Sequence, residues 1–274
     1  VLIANPLDSP YFLQTLYLVG GLLGGIFILL VLVARFDFGR LRRGVLFQRW
    51  KVWAVIAPVY GIALLAGELT VLILVLFLVF QGMREYASLV GLPNSYRRIL
   101  VLAGLAAPVI ALISLDAFLF LPPVILILAT LQPLFLRNER EGVKNLAFAA
   151  LGWGYIAWFL THFILLYKYV DGGPGVLLAI GLAVALSDVG AFTVGTLIGR
   201  HKMAPRISPN KTWEGAIGNF VGAFAGIAIM SFALPQGGFF WGFLAVLPVV
   251  VALGSIWGDL LESVIKREFE VKDA

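Results

Sequence analysis

Nine apolar stretches, separated by short polar segments, leave this chain few ways to fold. They fall near residues 12–34, 52–66, 69–83, 99–115, 119–135, 146–167, 176–198, 216–234 and 239–257. A helix needs about 20 apolar residues to cross a hydrocarbon layer, with a range of roughly 17–25. The mean hydropathy of +0.99, with only 13% charged residues, lies outside the range of soluble domains. The fold class expected is all-α: a polytopic transmembrane bundle of about nine helices. The second and third stretches share one apolar run, and Gly67-Glu68 is the expected turn between them. Asp116 divides the fourth from the fifth in the same way.

Charge placement gives the orientation. With the N-terminus outside, the cytoplasmic segments are 35–51, 84–98, 136–145, 199–215 and 258–274. They hold six, three, three, four and three Lys/Arg, which is 19 of the 20 in the chain; Lys168 alone falls elsewhere. Positive charge concentrates on the cytoplasmic side of membrane proteins, so the C-terminus is expected inside. The run with Arg40, Arg42, Arg43 and Arg49 is read as topology signal and contact with anionic head groups, with Trp50 and Trp53 as interfacial anchors. The basic residues are dispersed and lack a stacking platform, so no nucleic acid partner is expected. There is no cysteine, which removes disulfides, thiolate metal sites and a Cys nucleophile. The first apolar stretch lacks a basic leader and a small-residue cleavage site, and is read as a retained helix.

Glycines four apart, Gly20, Gly21, Gly24 and Gly25 in the first stretch and Gly218, Gly222 and Gly226 in the eighth, point to close helix packing. No internal repeat is evident, which argues against an inverted-repeat transporter. The polar motifs concentrate late, so residues 1–175 read as a scaffold and 176–274 as the catalytic region.

Three clusters in that region carry chemistry. Asp188 lies within an apolar stretch, in L-S-D-V-G-A-F, and an acid at membrane depth is costly enough to point to function. Segment 200–215, R-H-K-M-A-P-R-I-S-P-N-K-T-W-E-G, packs four basic residues among polar ones. Its second half reads as the opening of the eighth helix. Ser208, Asn210, Lys211, Thr212 and Glu214 there are candidates for holding phosphate at a helix N-terminus. An ordinary N-cap by Ser208 or Thr212, with Glu214 on the helix dipole, is the plainer alternative. His201 lacks an evident partner, and His162 reads as a packed residue. Near the end, Asp259, Glu262, Ser263 and Lys266 share one helix face, followed by Arg267 and the pair Lys272-Asp273. Glu262 with Lys266 is either a surface ion pair or part of a site. Asp259 and Glu262 offer hard oxygen ligands suited to Mg²⁺. Metal-assisted phosphoryl or nucleotidyl transfer to a lipid phosphate is the chemistry that suits this set.

S-P-N-K-T-W-E-G resembles the S-P-K-K-T-W-E-G stretch of the phosphatidate cytidylyltransferases (CDP-diacylglycerol synthases). S-D-V-G-A-F-T-V-G followed by G-R-H-K-M-A-P-R is similar to that family's preceding helix and loop. Ser263-x-x-Lys266-Arg267-x₄-Lys272-Asp273 matches the start of its signature, S-x-x-K-R-x-x-x-x-K-D. The resemblance covers residues 180–274. It implies the Mg²⁺-dependent conversion of CTP and phosphatidate to CDP-diacylglycerol and pyrophosphate, in a polytopic bundle that is commonly dimeric; Asp188 is expected to hold a second cation, of open identity, or to orient the lipid phosphate.

On that footing Asp259, Lys266, Lys211 and Asp188 are the expected catalytic residues. Ser208, Asn210, Lys211, Thr212, Glu214, Ser263, Arg267 and Lys272 are expected to contact substrate. Asp259, Asp188, Glu262 and Asp273 are expected to hold metal. The partners implied are CTP, phosphatidic acid, membrane lipid and a second copy of the chain, in a bacterial inner membrane with the site facing the cytoplasm. The family signature continues past K-D with a glycine-rich turn and an Asp-Arg-x-Asp motif. The sequence ends at Ala274, so a truncated chain is expected, with a catalytically impaired one as the alternative. A CTP-dependent polyprenol or lipid kinase, or an anionic-lipid transporter using Asp188, are the alternatives.

Overall fold

The computed structural model of the protein describes residues 2–136 and 141–269. Backbone packing divides the chain into two compact units, Val1–Leu74 and Val75–Ala274.

In the first unit, α1 (Phe12–Val33), the short α2 (Phe38–Arg43) and α3 (Val45–Leu65) are followed by the start of α4 (Glu68–Leu89). Gly67 makes the α3–α4 turn with φ +111°. A Cβ there would lie 2.8 Å from the Leu2 carbonyl oxygen, so the turn needs glycine both for its dihedral and for space. The N-terminal segment closes on this turn, with Ala4 N–H donating to Ala66 O at 2.8 Å and Leu69 N–H to Leu2 O at 2.9 Å. Trp50 locks α3 to α1. Its indole N–H donates to Leu23 O at 2.9 Å, and its ring stacks on Phe47 and tilts against Phe27. The glycines of α1 take no part in this contact. A Cβ at Gly20, Gly21, Gly24 or Gly25 meets nothing within 4 Å, so the close packing expected for them is not made within this chain.

The second unit contains α5 (Asn94–Ile113), α6 (Leu115–Leu119), α7 (Leu121–Leu136), α8 (Gly142–Gly152), α9 (Phe159–Tyr169), α10 (Gly173–Ile198), α11 (Trp213–Ile229) and α12 (Phe240–Glu268). The break after α5 falls at Ser114, not at Asp116. The Ser114 hydroxyl caps α6 by accepting from Ala117 N–H, and Asp116 sits in the first turn that follows. A π-helical turn, Trp153–Trp158, joins α8 to α9 in one continuous rod. Trp153 donates to Ala103 O and Trp158 stacks on Phe118 at 4.2 Å, which ties the rod to α5 and α6. His162 lies edge-on to Phe118 and bonds Trp158 O through Nδ1, a packed residue as expected.

Each of the nine apolar stretches corresponds to helix. By length and composition, six helical stretches among the described residues can cross a membrane: α1, α4, α5, the α8–α9 rod, α10 and α12. Leu121–Leu131 and α11 are shorter apolar helices. The protein is a polytopic helical membrane protein.

The α10–α11 crossing sets the geometry of the polar region. Gly218, Gly222 and Gly226 of α11 press on the α10 backbone. A Cβ on Gly222 would lie 2.0 Å from Leu186 O, and one on Gly226 2.4 Å from Ala183 Cα. Gly190 of α10 reciprocates, 2.2 Å from Gly218 O. This is small-residue packing, in which missing side chains let two backbones approach. It brings Asp188 on α10 to the level of Asn219 on α11.

Candidate active site

Segment 200–215 is not the loop and helix opening that the sequence suggests. Lys202–Ala204 (β1) and Ser208–Thr212 (β2) form an antiparallel hairpin, pairing Lys202 with Thr212 and Ala204 with Ser208 across a register irregularity. Pro209 accounts for much of the difference, because the residue before a proline is driven from helical to extended backbone. The helix therefore begins at Trp213, and Lys211 stands on a strand. Thr212, extended at φ −126° and ψ 155°, is the N-cap, and its Oγ1 accepts from Gly215 N–H at 3.1 Å. It is buried, packed beside Gly195 and Gly199 at the end of α10. Its hydroxyl is thus committed to the fold, which favours the plainer reading of that residue.

Glu214 is a clasp. Its carboxylate accepts from the backbone N–H groups of Arg200 and His201, at 3.1 and 3.2 Å, and meets His201 Nδ1 at 2.6 Å. His201 therefore has a partner, contrary to expectation. The His201 contact, the N–H of Glu214 itself and these two amides hold the Glu214 carboxyl down to about 2 from an ordinary 4.5. A depressed acid stabilises above its unfolded pKa and loses that contribution as pH falls through the folded value. The clasp should be complete above pH 4.5 and open progressively towards pH 2. Glu214→Gln is expected to speed amide exchange in 200–204 by about tenfold at neutral pH and to remove its acid dependence, read by hydrogen–deuterium exchange. Unchanged exchange in that segment would show that the clasp contributes nothing to the hairpin.

With the hairpin held, Lys211 reaches α12. Its Nζ meets Asp259 Oδ2 at 2.5 Å, with the Lys side chain mostly covered and Asp259 half exposed. Asp188 is accessible rather than sealed, and it lies within electrostatic reach of both Asp259 and Lys211. Its Oδ1 accepts from Ser255 Oγ at 3.3 Å, and Ser255 in turn accepts from Asn219 Nδ2 at 3.2 Å. Asn219 is buried, and its Oδ1 lacks a hydrogen-bond partner. A buried acceptor left so costs about 1–3 kcal/mol.

The structure gathers Asp188, Lys211 and Asp259 from three elements into one site. Other candidates stand further along α12. Lys266 pairs with Glu262 at 2.6 Å, the i,i+4 surface ion pair. Ser263 Oγ donates back to Asp259 O at 2.8 Å, and Arg267 Nε reaches across to Ile207 O in the hairpin turn at 3.3 Å. Ser208 and Asn210 lie on β2, with Asn210 exposed. Lys272 and Asp273 lie outside the described residues.

Three further residues of the site escaped the sequence reading. Ser255 is one turn before Asp259 on the same face, a spacing that could have flagged it. Asn219 is a lone amide in an apolar helix. Tyr155, in the π-helical turn, donates to Gly258 O at 3.4 Å and lies within electrostatic reach of Glu262 and Asp259; nothing in its local sequence signals this.

The donor set suits a hard divalent cation. Asp188 and Asp259 supply carboxylate oxygen. Among the described residues no cluster of three or more His, Cys, Asp or Glu offers a closed metal cage. Any cation held by these two carboxylates would need substrate phosphates or water to complete its shell.

Residues 47–274 match the sequence profile described as the Cytidylyltransferase family. The chain is 40% identical over 120 residues to the phosphatidate cytidylyltransferase of Mycobacterium leprae (strain TN), covering 43% of this chain and 38% of that protein. It is 32% identical over 139 residues to that of Staphylococcus saprophyticus, covering 51% and 52%. Against the phosphatidate cytidylyltransferase of Staphylococcus epidermidis it is 31% identical over 217 residues, covering 78% and 79%. The matched stretch thus spans well under two thirds of the mycobacterial relative and about half of the S. saprophyticus one. Since the profile extends over most of the sequence and includes every element of the site, the chain belongs to the cytidylyltransferase family.

Proposed function

We propose that the protein transfers a cytidylyl group from CTP to phosphatidate, forming CDP-diacylglycerol and pyrophosphate at the cytoplasmic face of a bacterial inner membrane. The observation that carries this reading is the Lys211–Asp259 ion pair beside Asp188, at the meeting point of the motifs on α10, β2 and α12. A phosphatidate oxygen attacks the α-phosphorus of CTP, the bond from that phosphorus to the bridging oxygen breaks, and pyrophosphate leaves with the electron pair. No nucleophilic side chain is required. The demand on the protein is to place two polyanions together and balance their charge.

Lys211 meets that demand as a mostly covered cation whose partner in the free protein is Asp259. Its ammonium can turn from the carboxylate to a phosphate oxygen. Asp259 and Asp188 are the residues that would hold Mg²⁺, with Asp273 and Glu262 as further candidates. Mg²⁺ bound there would draw the phosphates together and spread the charge that develops on the leaving group. Lys266 and Arg267, further along α12, add positive charge on the same side. The apolar helices provide the lipid-facing surface from which phosphatidate enters, and a homodimer is the expected assembly. A lipid kinase would move the γ-phosphoryl and release CDP; a transporter would form no covalent product.

The test is pyrophosphate release by the purified protein in phospholipid nanodiscs. Release is expected only with CTP, phosphatidate and Mg²⁺ together, and to fall to background when EDTA removes the metal. Release of CDP instead, or turnover that survives EDTA, would overturn the reading.

A further inference from the structure

A three-residue polar chain crosses three helices beneath the site. Asn219 of α11 donates from Nδ2 to Ser255 Oγ of α12 at 3.2 Å, and Ser255 donates to Asp188 Oδ1 of α10 at 3.3 Å. The direction follows from proton inventory. A hydroxyl has one proton, an amide NH₂ only donates, and an ionised carboxylate only accepts. Because Asn219 supplies a proton to the Ser255 oxygen, the single proton of Ser255 is left to point at Asp188. Reversing the amide would let Ser255 spend that proton on Asn219 instead, and Asp188 would lose its donor.

The placement of Asn219 is itself determined. It is 3% exposed, one residue beyond Gly218, where a Cβ would lie 2.4 Å from Gly190 O. The glycine contact brings α11 against α10 at the turn that carries Asp188. Ser255 and Asp259 are four apart on α12, so the hydroxyl that meets Asp188 and the carboxylate that meets Lys211 share one face.

We propose that Asn219 is a positioning residue: through its bond to Ser255 it aims the serine proton at Asp188 and fixes the carboxylate orientation used at the site. This rests on the cytidylyl-transfer reading for its consequence in turnover, but not for the geometry itself. Asn219 touches neither reacting phosphate and acts only through Ser255.

Two readouts test it. The first is infrared difference spectroscopy of the protein without substrate, following the carboxylate stretching band that disappears in Asp188→Asn. That band should shift in Ser255→Ala, which removes the donor, and in the same direction but by less in Asn219→Leu, which frees the hydroxyl to turn from Asp188 to a carbonyl of its own helix. The second is CDP-diacylglycerol formation, where each single variant should lose about three- to tenfold in kcat with little change in KM for CTP. The double variant should be no slower than the slower single one, because both changes act through the one hydroxyl that donates to Asp188. A band that stays in place in either single variant, or losses that multiply in the double variant, would overturn the relay. If Asn219→Leu does not fold, the smaller change Asn219→Ala carries the test, and a band that stays in place there would overturn the role of Asn219. Wild-type protein that makes no CDP-diacylglycerol would instead refute the reading of function, and the infrared comparison would still decide the relay.

Discussion

Asp259→Ala is expected to lower turnover by roughly a hundred- to a thousandfold while leaving the protein folded. The asymmetry follows from where the residue sits. Its ion pair with Lys211 is half exposed on the Asp side, and a pair of that kind contributes under about 1 kcal/mol to stability. The expected effect on turnover is larger, because on the proposed reading Asp259 holds Mg²⁺ and also keeps Lys211 in place. Lys211→Ala should produce a similar loss. The double variant should be little worse than either single one, since groups that act as a unit are not additive. Thermal unfolding and initial rates on the same samples check this. Turnover within about threefold of wild type for Asp259→Ala would remove it from the mechanism.

Gly222→Leu should do the opposite, destroying the fold before it touches chemistry. The smallest possible side chain at this position would place Cβ 2.0 Å from Leu186 O and 2.8 Å from Ser187 N, both backbone atoms that no rotamer change can move. α10 and α11 would have to separate, and the level of Asp188 against Asn219 would be lost with them. A cost of about 3 kcal/mol or more is expected, with little protein recovered from the membrane. Gly20→Leu is the matched control. Its Cβ meets nothing within 4 Å, so recovery and unfolding temperature should stay near wild type. Equal behaviour of the two variants would contradict the packing account.

These two glycine series show how far the sequence could be read. Both have the same four-residue spacing, yet only the α11 series makes a close crossing, because spacing identifies a face but not what lies against it. The nine helical stretches were legible, since apolar length is a local property. So was the turn at Gly67-Glu68. The hairpin at 202–212 was not, because strand pairing depends on contacts that periodicity in so short a segment cannot reveal. At the site, acids and lysines stood out against an apolar background, and Asp188, Lys211 and Asp259 do converge. Glu262 and Lys266 pair with each other, as i,i+4 neighbours on a helix readily do. Ser255, Asn219 and Tyr155 stayed hidden because a single hydroxyl or amide in an apolar helix costs little and signals little. Their importance comes only from the helices that face them.

The central claim is that the cytidylyl group, and not the terminal phosphoryl group, reaches the lipid. The direct measurement is a paired assay with CTP labelled at the α- or the γ-phosphorus, phosphatidate and Mg²⁺, followed by extraction of the lipid product. The account predicts label in lipid from α-labelled CTP alone, with the γ-label recovered in pyrophosphate. Label in lipid from γ-labelled CTP, or none from either above the Asp259→Ala background, would contradict it.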